Sequence, residues 1–405
     1  MRKQRLVILG YGQRGSIYAR YAIDNPTEFE VVAIVENSEK NLVRARQNHK
    51  CPIFTDYRDF LKANIEADIV AVATQDADHR EHAIACMEKG YDLLLEKPIA
   101  NNIEDCEAIY EASVKYGRKV IICHVLRYTP FYRKIKSIIQ SGLLGDIVTV
   151  TASENVGYYH QSHSFVRGPW RNKEIACPMI VAKCCHYLDI LRWLIGEKCQ
   201  KVSSMGTLSH FTEKNAPEGS TQYCTDCKVE NCIYRAKNVY QEWKWMRGYF
   251  CTDVYDDEQA NELLRYSQYD KCVYRTDNNV VDHQVTTFQF DKNITAMHSM
   301  TAFSKEVYRD IKIHGTKAEL VGSDMGKPVL EVRVFGGETI TYDFSDANLS
   351  GNHGGGDVGL MHALYLERNG VAVDGLTYID VSIDSHRMAF GAEQSRLEGK
   401  VIDIK

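Results

Sequence analysis

The chain has 405 residues, 44% of them hydrophobic and 25% charged, with a formal net charge of -5; that length exceeds one ordinary core and predicts two domains. The small net charge and the lack of a basic block exclude an obvious nucleic-acid or membrane-surface partner, and no apolar run suits a signal peptide or a membrane span. The 13 cysteines, an odd number in a chain without a secretion signal, read as thiols or metal ligands rather than disulfides and predict a cytoplasmic protein.

In chain order, residues 6–9 form a buried strand that runs into Gly10-Tyr11-Gly12-Gln13-Arg14-Gly15, and a helix pattern follows. In a dinucleotide-binding unit Gly10 permits the tight turn, Gly12 lets a pyrophosphate approach the backbone, and Gly15 lets the helix pack close to the sheet. The phosphates then meet the positive end of that helix. A second strand, 29–35, ends on Glu36. An acid there accepts hydrogen bonds from a ribose diol and repels a 2′-phosphate, which points to NAD rather than NADP; the alternative is a solvated carboxylate. Strands at 52–54, 67–74, 92–95 and 119–123 alternate with helices at 57–63, 82–89 and 103–116, the last two closed by Gly90 and Gly117. Repeated βα units with apolar strands predict an α/β Rossmann domain, a doubly wound parallel sheet with right-handed crossovers.

After Arg127 the pattern changes. A helix at 130–141 is followed by strands at 147–153, 201–209, 284–290, 294–301, 308–314, 317–321, 329–335 and 339–342, without crossovers. These predict an α+β domain with a large open antiparallel sheet. One helix, 183–194, lies within it. Residues 215–278, rich in Cys, Tyr, Asp and Asn, read as an insertion, and 351–395 as loop and helices. The predicted domains are 1–126, 127–378, and a C-terminal helix and tail, 379–405, packing back on both.

Three landmarks stand in one order: the glycine turn, Thr74…His79, and Glu96-Lys97-Pro98. Together they resemble the glucose-fructose oxidoreductase / inositol dehydrogenase / MocA (Gfo/Idh/MocA) family, with Glu-Lys-Pro as the specific mark. The resemblance extends to Trp170-Arg171, to the helix with His186 and Asp189, and to residues 386–396. It implies an NAD(P)-dependent oxidoreductase that oxidises a secondary alcohol of a sugar, glycoside or cyclitol by hydride transfer to nicotinamide, C3 of a pyranose being one form. It also implies a homodimer or homotetramer built through the sheet. A redox-assisted NAD-dependent glycosidase and a non-catalytic NAD-binding regulator are the alternatives.

Lys97 ends a parallel strand at the sheet edge where cofactors and substrates bind, and it can position a hydroxyl or share its proton. In the family a helix carries Asp-x-Gly-x-His; here the stretch is Ala182-Lys183-Cys184-Cys185-His186. His186 matches as general base, the expected Asp is Ala182, and Lys183 is a substitute cation. Asp189 either orients the His186 ring or serves packing. Arg127, followed by Tyr128 on the substrate side, either faces the nicotinamide or forms a hinge salt bridge, and Trp170-Arg171 can close over the cofactor. Tyr159 and His163 suit a sugar-binding wall, or else the tyrosines pack on the sheet. His160-x-x-His163 offers two metal ligands without a third.

Cys224-x2-Cys227-x4-Cys232, with Cys272 or Cys251 as a fourth ligand, predicts a structural zinc site in the insertion; an iron–sulfur cluster or free thiols are the other readings. His353-Gly354-Gly355-Gly356-Asp357 reads as a flexible turn, or as a loop that approaches the sugar or a neighbouring subunit.

Overall fold

The computed structural model describes residues 1–251, 256–344 and 352–404. The insertion is therefore described apart from 252–255, and the 351–395 segment apart from 351, which lie outside the described residues. The N-terminal sheet contains β1 (Gln4–Leu9), β2 (Phe29–Val35), β3 (Ile53–Phe54), β4 (Ile69–Val72), β5 (Asp92–Leu95) and β6 (Val120–Ile122), in the order β3-β2-β1-β4-β5-β6. Every neighbouring pair is parallel. All four residues of β4 are buried, because both faces of a parallel sheet are covered by crossover helices. One face holds α1 (Gln13–Asp24) and, late in the chain, the Gly356–Arg368 helix. The other holds the His79–Glu88 and Ile103–Tyr116 helices and the start of the Ile379–Glu398 helix. The Ile103–Tyr116 helix has the predicted bounds because its ends are coded locally. The Asn102 side chain accepts from the Asp105 amide, and Gly117 ends the helix in a left-handed conformation (φ 61°).

The second sheet has nine strands among the described residues. With β7 (Ile147–Asn155), β8 (Cys199–Thr207), β9 (His283–Phe290), β10 (Thr295–Thr301), β11 (Tyr308–Gly315), β12 (Ala318–Ser323), β13 (Val329–Val334), β14 (Thr339–Asp343) and β15 (Ile402–Asp403), the order is β14-β13-β12-β11-β7-β10-β9-β8-β15. The pairs are antiparallel apart from β7 with β10. That parallel pair is invisible to strand patterning, since β10 comes in beside β7 only after the insertion and the β9 strand (His283–Phe290). Burial in β9 alternates residue by residue, so one face of this sheet is packed and the other open. The packed face meets the Pro130–Gln140, Cys185–Ile195 and Ile379–Glu398 helices in one core. The Ile379–Glu398 helix thus contributes Ile383 to the first domain's core and Met388 and Ala392 to the second's. Among the described residues no helix is long and apolar enough to cross a membrane.

The helix expected at 183–194 starts two residues later, at Cys185, after a separate turn. Met179–Ala182 forms one turn and Cys185–Ile195 the main helix, with Lys183 and Cys184 at the junction. Pro178 starts the short turn early, and the backbone kinks at Lys183 (φ -106°).

Candidate active site

The glycine turn has the geometry that its sequence implies. Gly10 is left-handed (φ 93°), and a Cβ there would lie 2.6 Å from the Ala73 carbonyl oxygen; one on Gly15 would lie 1.9 Å from the Gly10 oxygen. A Cβ on Gly12 would meet nothing within 4 Å. The open side of the turn is therefore at Gly12, where a pyrophosphate would approach the start of α1, and these residues fit a dinucleotide. Gly15→Ala is expected to force α1 off β1. Overpacking of this kind costs about 1–3 kcal/mol, read as a lower thermal midpoint together with weakened NADH binding in a fluorescence titration. A variant with wild-type affinity and midpoint would refute the close-packing role.

Glu36 is buried rather than solvated. Its Oε2 accepts from the Tyr11 amide (2.8 Å), and its Oε1 from the Asn37 and Ser38 amides (2.8 and 2.7 Å). It thereby ties the end of β2 to the glycine turn. Arg14 turns inward: its Nε donates to Glu96 (2.5 Å), and its Nη2 donates to the Tyr18 hydroxyl (2.7 Å) and to Asp357 (2.6 Å). Tyr18 also donates to Glu96. Burial pushes the Glu96 carboxyl up, but Arg14 and the Tyr18 hydrogen bond outweigh it and hold it below the usual range.

Lys97 follows at the end of β5. Its Nζ donates to the Ala182 carbonyl (3.0 Å), at the helix junction. His79 sits fully buried behind this turn with Nδ1 against the Pro98 carbonyl (2.9 Å), and the Ile99 amide donates to His386 (3.0 Å). Thr74 pairs with the His82 ring (3.0 Å). Trp170 donates to Asp76 (3.2 Å), whose carboxyl burial raises while the charges of His79 and Lys97 lower it.

His186 faces this strand end from the Cys185–Ile195 helix. Its ring centroid is 5.7 Å from that of His124 and 5.8 Å from that of His353. Its Nδ1 is buried without a hydrogen-bond partner among the described residues. Burial, then the charge of Lys97, push the imidazole well below its ordinary pKa. Lys183 finds its carboxylate on the sheet: Nζ is 3.5 Å from Glu154 of β7, which Arg309 of β11 grips at 2.7 and 3.0 Å. Burial lowers the Lys183 pKa and Glu154 opposes it.

Other expected site residues point elsewhere. Arg127 makes two 2.6 Å hydrogen bonds to Asp189, so the hinge ion pair is the arrangement seen and Asp189 is not aimed at His186. Tyr128 is buried against Thr377 (3.2 Å), and Arg171 pairs with Asp277 of the insertion (2.6 Å). Tyr159 stacks on Trp243 at 3.6 Å. His163, in a buried π-helical segment (Gln161–Arg167), contacts the Tyr240 hydroxyl (2.9 Å) and the Tyr249 and Tyr269 rings. Burial lowers its pKa to about 3. Tyr159 and His163 therefore anchor the insertion, and the exposed Trp245 edges onto His160 and His163 in front of them.

The zinc expectation needs correction. Cys224, Cys227, Cys232 and Cys272 do line one small cavity. Yet among the described residues no group of three or more His, Cys, Asp or Glu side chains is set to hold a metal ion. The Cys224 sulfur instead accepts from Arg167 (3.7 Å). Burial raises the Cys232 and Cys272 thiols, favouring the neutral form over the thiolate that a metal needs. The free-thiol reading describes this arrangement, and the same geometry gives the iron–sulfur alternative no support.

Sequence reading missed Asp76, His124, Glu154 and Arg309, which carry no local motif. The His353…Asp357 segment is visible in the sequence, as a flexible turn or a loop that approaches the sugar or a neighbouring subunit. Here His353 Nδ1 lies 2.9 Å from Asp357 Oδ2 beside His186.

A parallel nucleotide-binding sheet, an open second sheet, and a lysine and histidine at their seam define a two-domain oxidoreductase. The comparisons place it in a family. The model of the oxidoreductase family's NAD-binding Rossmann fold matches residues 4–124, and that of its C-terminal alpha/beta domain matches 136–402. The chain belongs to the Gfo/Idh/MocA family of oxidoreductases. It is 25% identical over 367 residues to YteT of Bacillus subtilis (strain 168), named as an oxidoreductase, covering 85% of this chain and 83% of that one. It is 24% identical over 243 residues to inositol 2-dehydrogenase of Pseudomonas fluorescens (strain SBW25), covering 57% and 68%. Among solved structures, levoglucosan dehydrogenase with NADH and levoglucosan shares the fold, with a TM-score of 0.75 at 17% identity over 100% of this chain and 99% of that one. The WlbA dehydrogenase from Bordetella pertussis with NADH and UDP-GlcNAcA follows, at 0.71, 16% identity, and 100% and 98% coverage.

Proposed function

We propose that the protein is an NAD-dependent dehydrogenase that oxidises a secondary hydroxyl of a sugar, glycoside or cyclitol, with C3 of a pyranose as the specific form. The observation that carries this is the seating of Lys97 on the turn that leads into the His186 helix, one residue after the Glu96 that pairs with Arg14 of the glycine turn. Lys97 Nζ binds the Ala182 carbonyl, four residues before His186, and its charge acts on the His186 ring. The names of the inositol and levoglucosan dehydrogenases among its relatives support a polyhydroxylated ring as substrate. Bound NAD supplies the hydride acceptor. The amides of the Gly10–Gly15 turn and Glu36 hold it, Lys97 orients the substrate hydroxyl, His186 faces that hydroxyl, and Lys183 with Glu154 borders it. All 13 cysteines are free, in keeping with a reducing, cytoplasmic setting. Exposed Met205, Val285 and Met297 lie on the open face of the second sheet and support pairing of two copies there.

One feature favours the glycosidase as a second reading. The insertion reaches across to the cofactor side: Lys40 Nζ donates to the Gly248 and Cys251 carbonyls (3.1 and 2.8 Å), and a Cβ on Gly248 would lie 3.5 Å from Gln13 of the glycine turn. A strap there suits a cofactor that stays bound while a glycoside is oxidised, eliminated and reduced again. The test is an NADH-linked screen of sugars, glycosides and inositols with analysis of cleaved bonds. Net NADH formation is expected; aglycone release without NADH would establish the glycosidase, and no turnover on any class would reject both.

A further inference from the structure

Oxidation of an alcohol needs a proton acceptor as well as a hydride acceptor. His186 is poorly equipped for this alone. The turn before its helix ends on Ala182, which offers no carboxylate to the ring, its Nδ1 has no partner among the described residues, and Asp189 is committed to Arg127. The ring beside it is different. His353 Nδ1 lies 2.9 Å from Asp357, which fixes the tautomer by donation of the Nδ1 proton to the carboxylate and leaves Nε2 as acceptor. Asp357 is in turn held by Arg14 of the glycine turn (2.6 Å), and Arg14 by Glu96 beside Lys97.

The backbone is built for this placement. His353 is left-handed (φ 52°, ψ 38°), as are Gly354 and Gly355 (φ 57° and 84°). A non-glycine residue in that region is uncommon, and such strain gathers at functional sites. Gly356 and Gly359 then press the following helix onto the Val125–Tyr128 turn; a Cβ on either would lie 2.5 Å from the Val125 oxygen or 2.9 Å from Tyr128. The side chain of His353 keeps 33% exposure while Asp357 keeps 4%, so the ring is reachable and its carboxylate is not.

We propose that His353, oriented by Asp357, is the catalytic base that receives the substrate's hydroxyl proton. The proposal rests on the dehydrogenase reading above. The C–H bond breaks with its electron pair leaving for the nicotinamide, the O–H proton passes to His353 Nε2, and the carbon–oxygen bond becomes a carbonyl. The alcohol loses two electrons and NAD gains them; the imidazolium formed is stabilised by Asp357 and returns its proton to water. His186 then serves as the neighbouring ring that bounds the substrate. Besides Asp357, the groups that act on His353 are Arg14, Arg309 and the His186 ring.

The test uses His353→Asn, because Asn tolerates the left-handed backbone, together with Asp357→Asn. His353→Asn is expected to lower kcat/KM by about 10²- to 10⁴-fold with NADH affinity within twofold of wild type. Asp357→Asn removes the carboxylate that favours the protonated ring, so the acid limb of the kcat/KM profile moves to lower pH. Histidine NMR supplies a readout that does not depend on turnover. The signal missing from His353→Asn must show Nδ1 protonated in the wild type and titrate at lower pH in Asp357→Asn. Unchanged kcat/KM in His353→Asn, with turnover lost in His186→Asn, would overturn the proposal and leave the dehydrogenase reading standing. A His353 signal indifferent to Asp357→Asn would overturn it even if no substrate were found.

Discussion

Lys97→Met is expected to lower kcat by about 10²- to 10⁴-fold, the usual range for loss of a group that handles a reacting proton or holds its oxygen. NADH should still titrate the variant with a near-wild-type Kd. The two effects separate because the proposed dinucleotide contacts lie at the Gly10–Gly15 turn, whereas Lys97 reaches the Ala182 carbonyl across the seam. Methionine keeps the apolar stem and removes only the ammonium. Lys97→Arg should not rescue: the 3.0 Å seat on Ala182 suits a compact ammonium, and a planar guanidinium needs a wider one. Stopped-flow and steady-state turnover with the sugar found in the screen would measure this. Full turnover in Lys97→Met would refute the role of Lys97, whereas NAD binding by the wild type without turnover on any substrate would support a non-catalytic regulator.

The second large effect falls on stability. Arg309→Met should destabilise the fold by about 3–5 kcal/mol, as removal of one partner from a buried ion pair does. Glu154 is fully buried and accepts from Arg309 at 2.7 and 3.0 Å. Lys183, at 3.5 Å, would be its remaining cation. Burial raises the Glu154 carboxyl, but Arg309 and Lys183 outweigh it and hold it below its usual value. Its contribution is therefore complete above the unfolded carboxylate pKa, about 4.3, and is lost as pH falls through the lower folded value. Urea midpoints measured from neutral to acid pH should converge for wild type and Arg309→Met as the solution becomes acid. A constant gap between them would exclude Glu154 as the titrating partner.

Both predictions turn on residues that differ in how visible they were. Lys97 was legible because Glu-Lys-Pro follows an apolar strand at a fixed place in the βα series. Arg309 was not, because β11 reads as an ordinary alternating strand and its partner Glu154 lies 155 positions away. The same distance effect moved Arg127 from the cofactor to Asp189. It also turned Tyr159 and His163 from a sugar wall into the aromatic anchor of the insertion. The cysteines show the converse. Four thiols line one cavity, yet neither spacing nor proximity gave them, among the described residues, the convergence of a metal site.

What the sequence determined by itself is local: hydrophobic period, turn chemistry and caps. These specify the parallel βα units, the glycine turn, the strand run of the second sheet and the place of Lys97 and His186, because each depends on residues within a few positions of one another. Tertiary structure alone decided which side chains share a buried charge. It set the parallel pairing of β7 with β10, supplied Lys183 with a carboxylate from the sheet, and carried His353 and Asp357 from the far end of the chain to Arg14 and His186. A buried charge takes whichever partner the packing leaves within reach, and no periodicity in the chain encodes that choice.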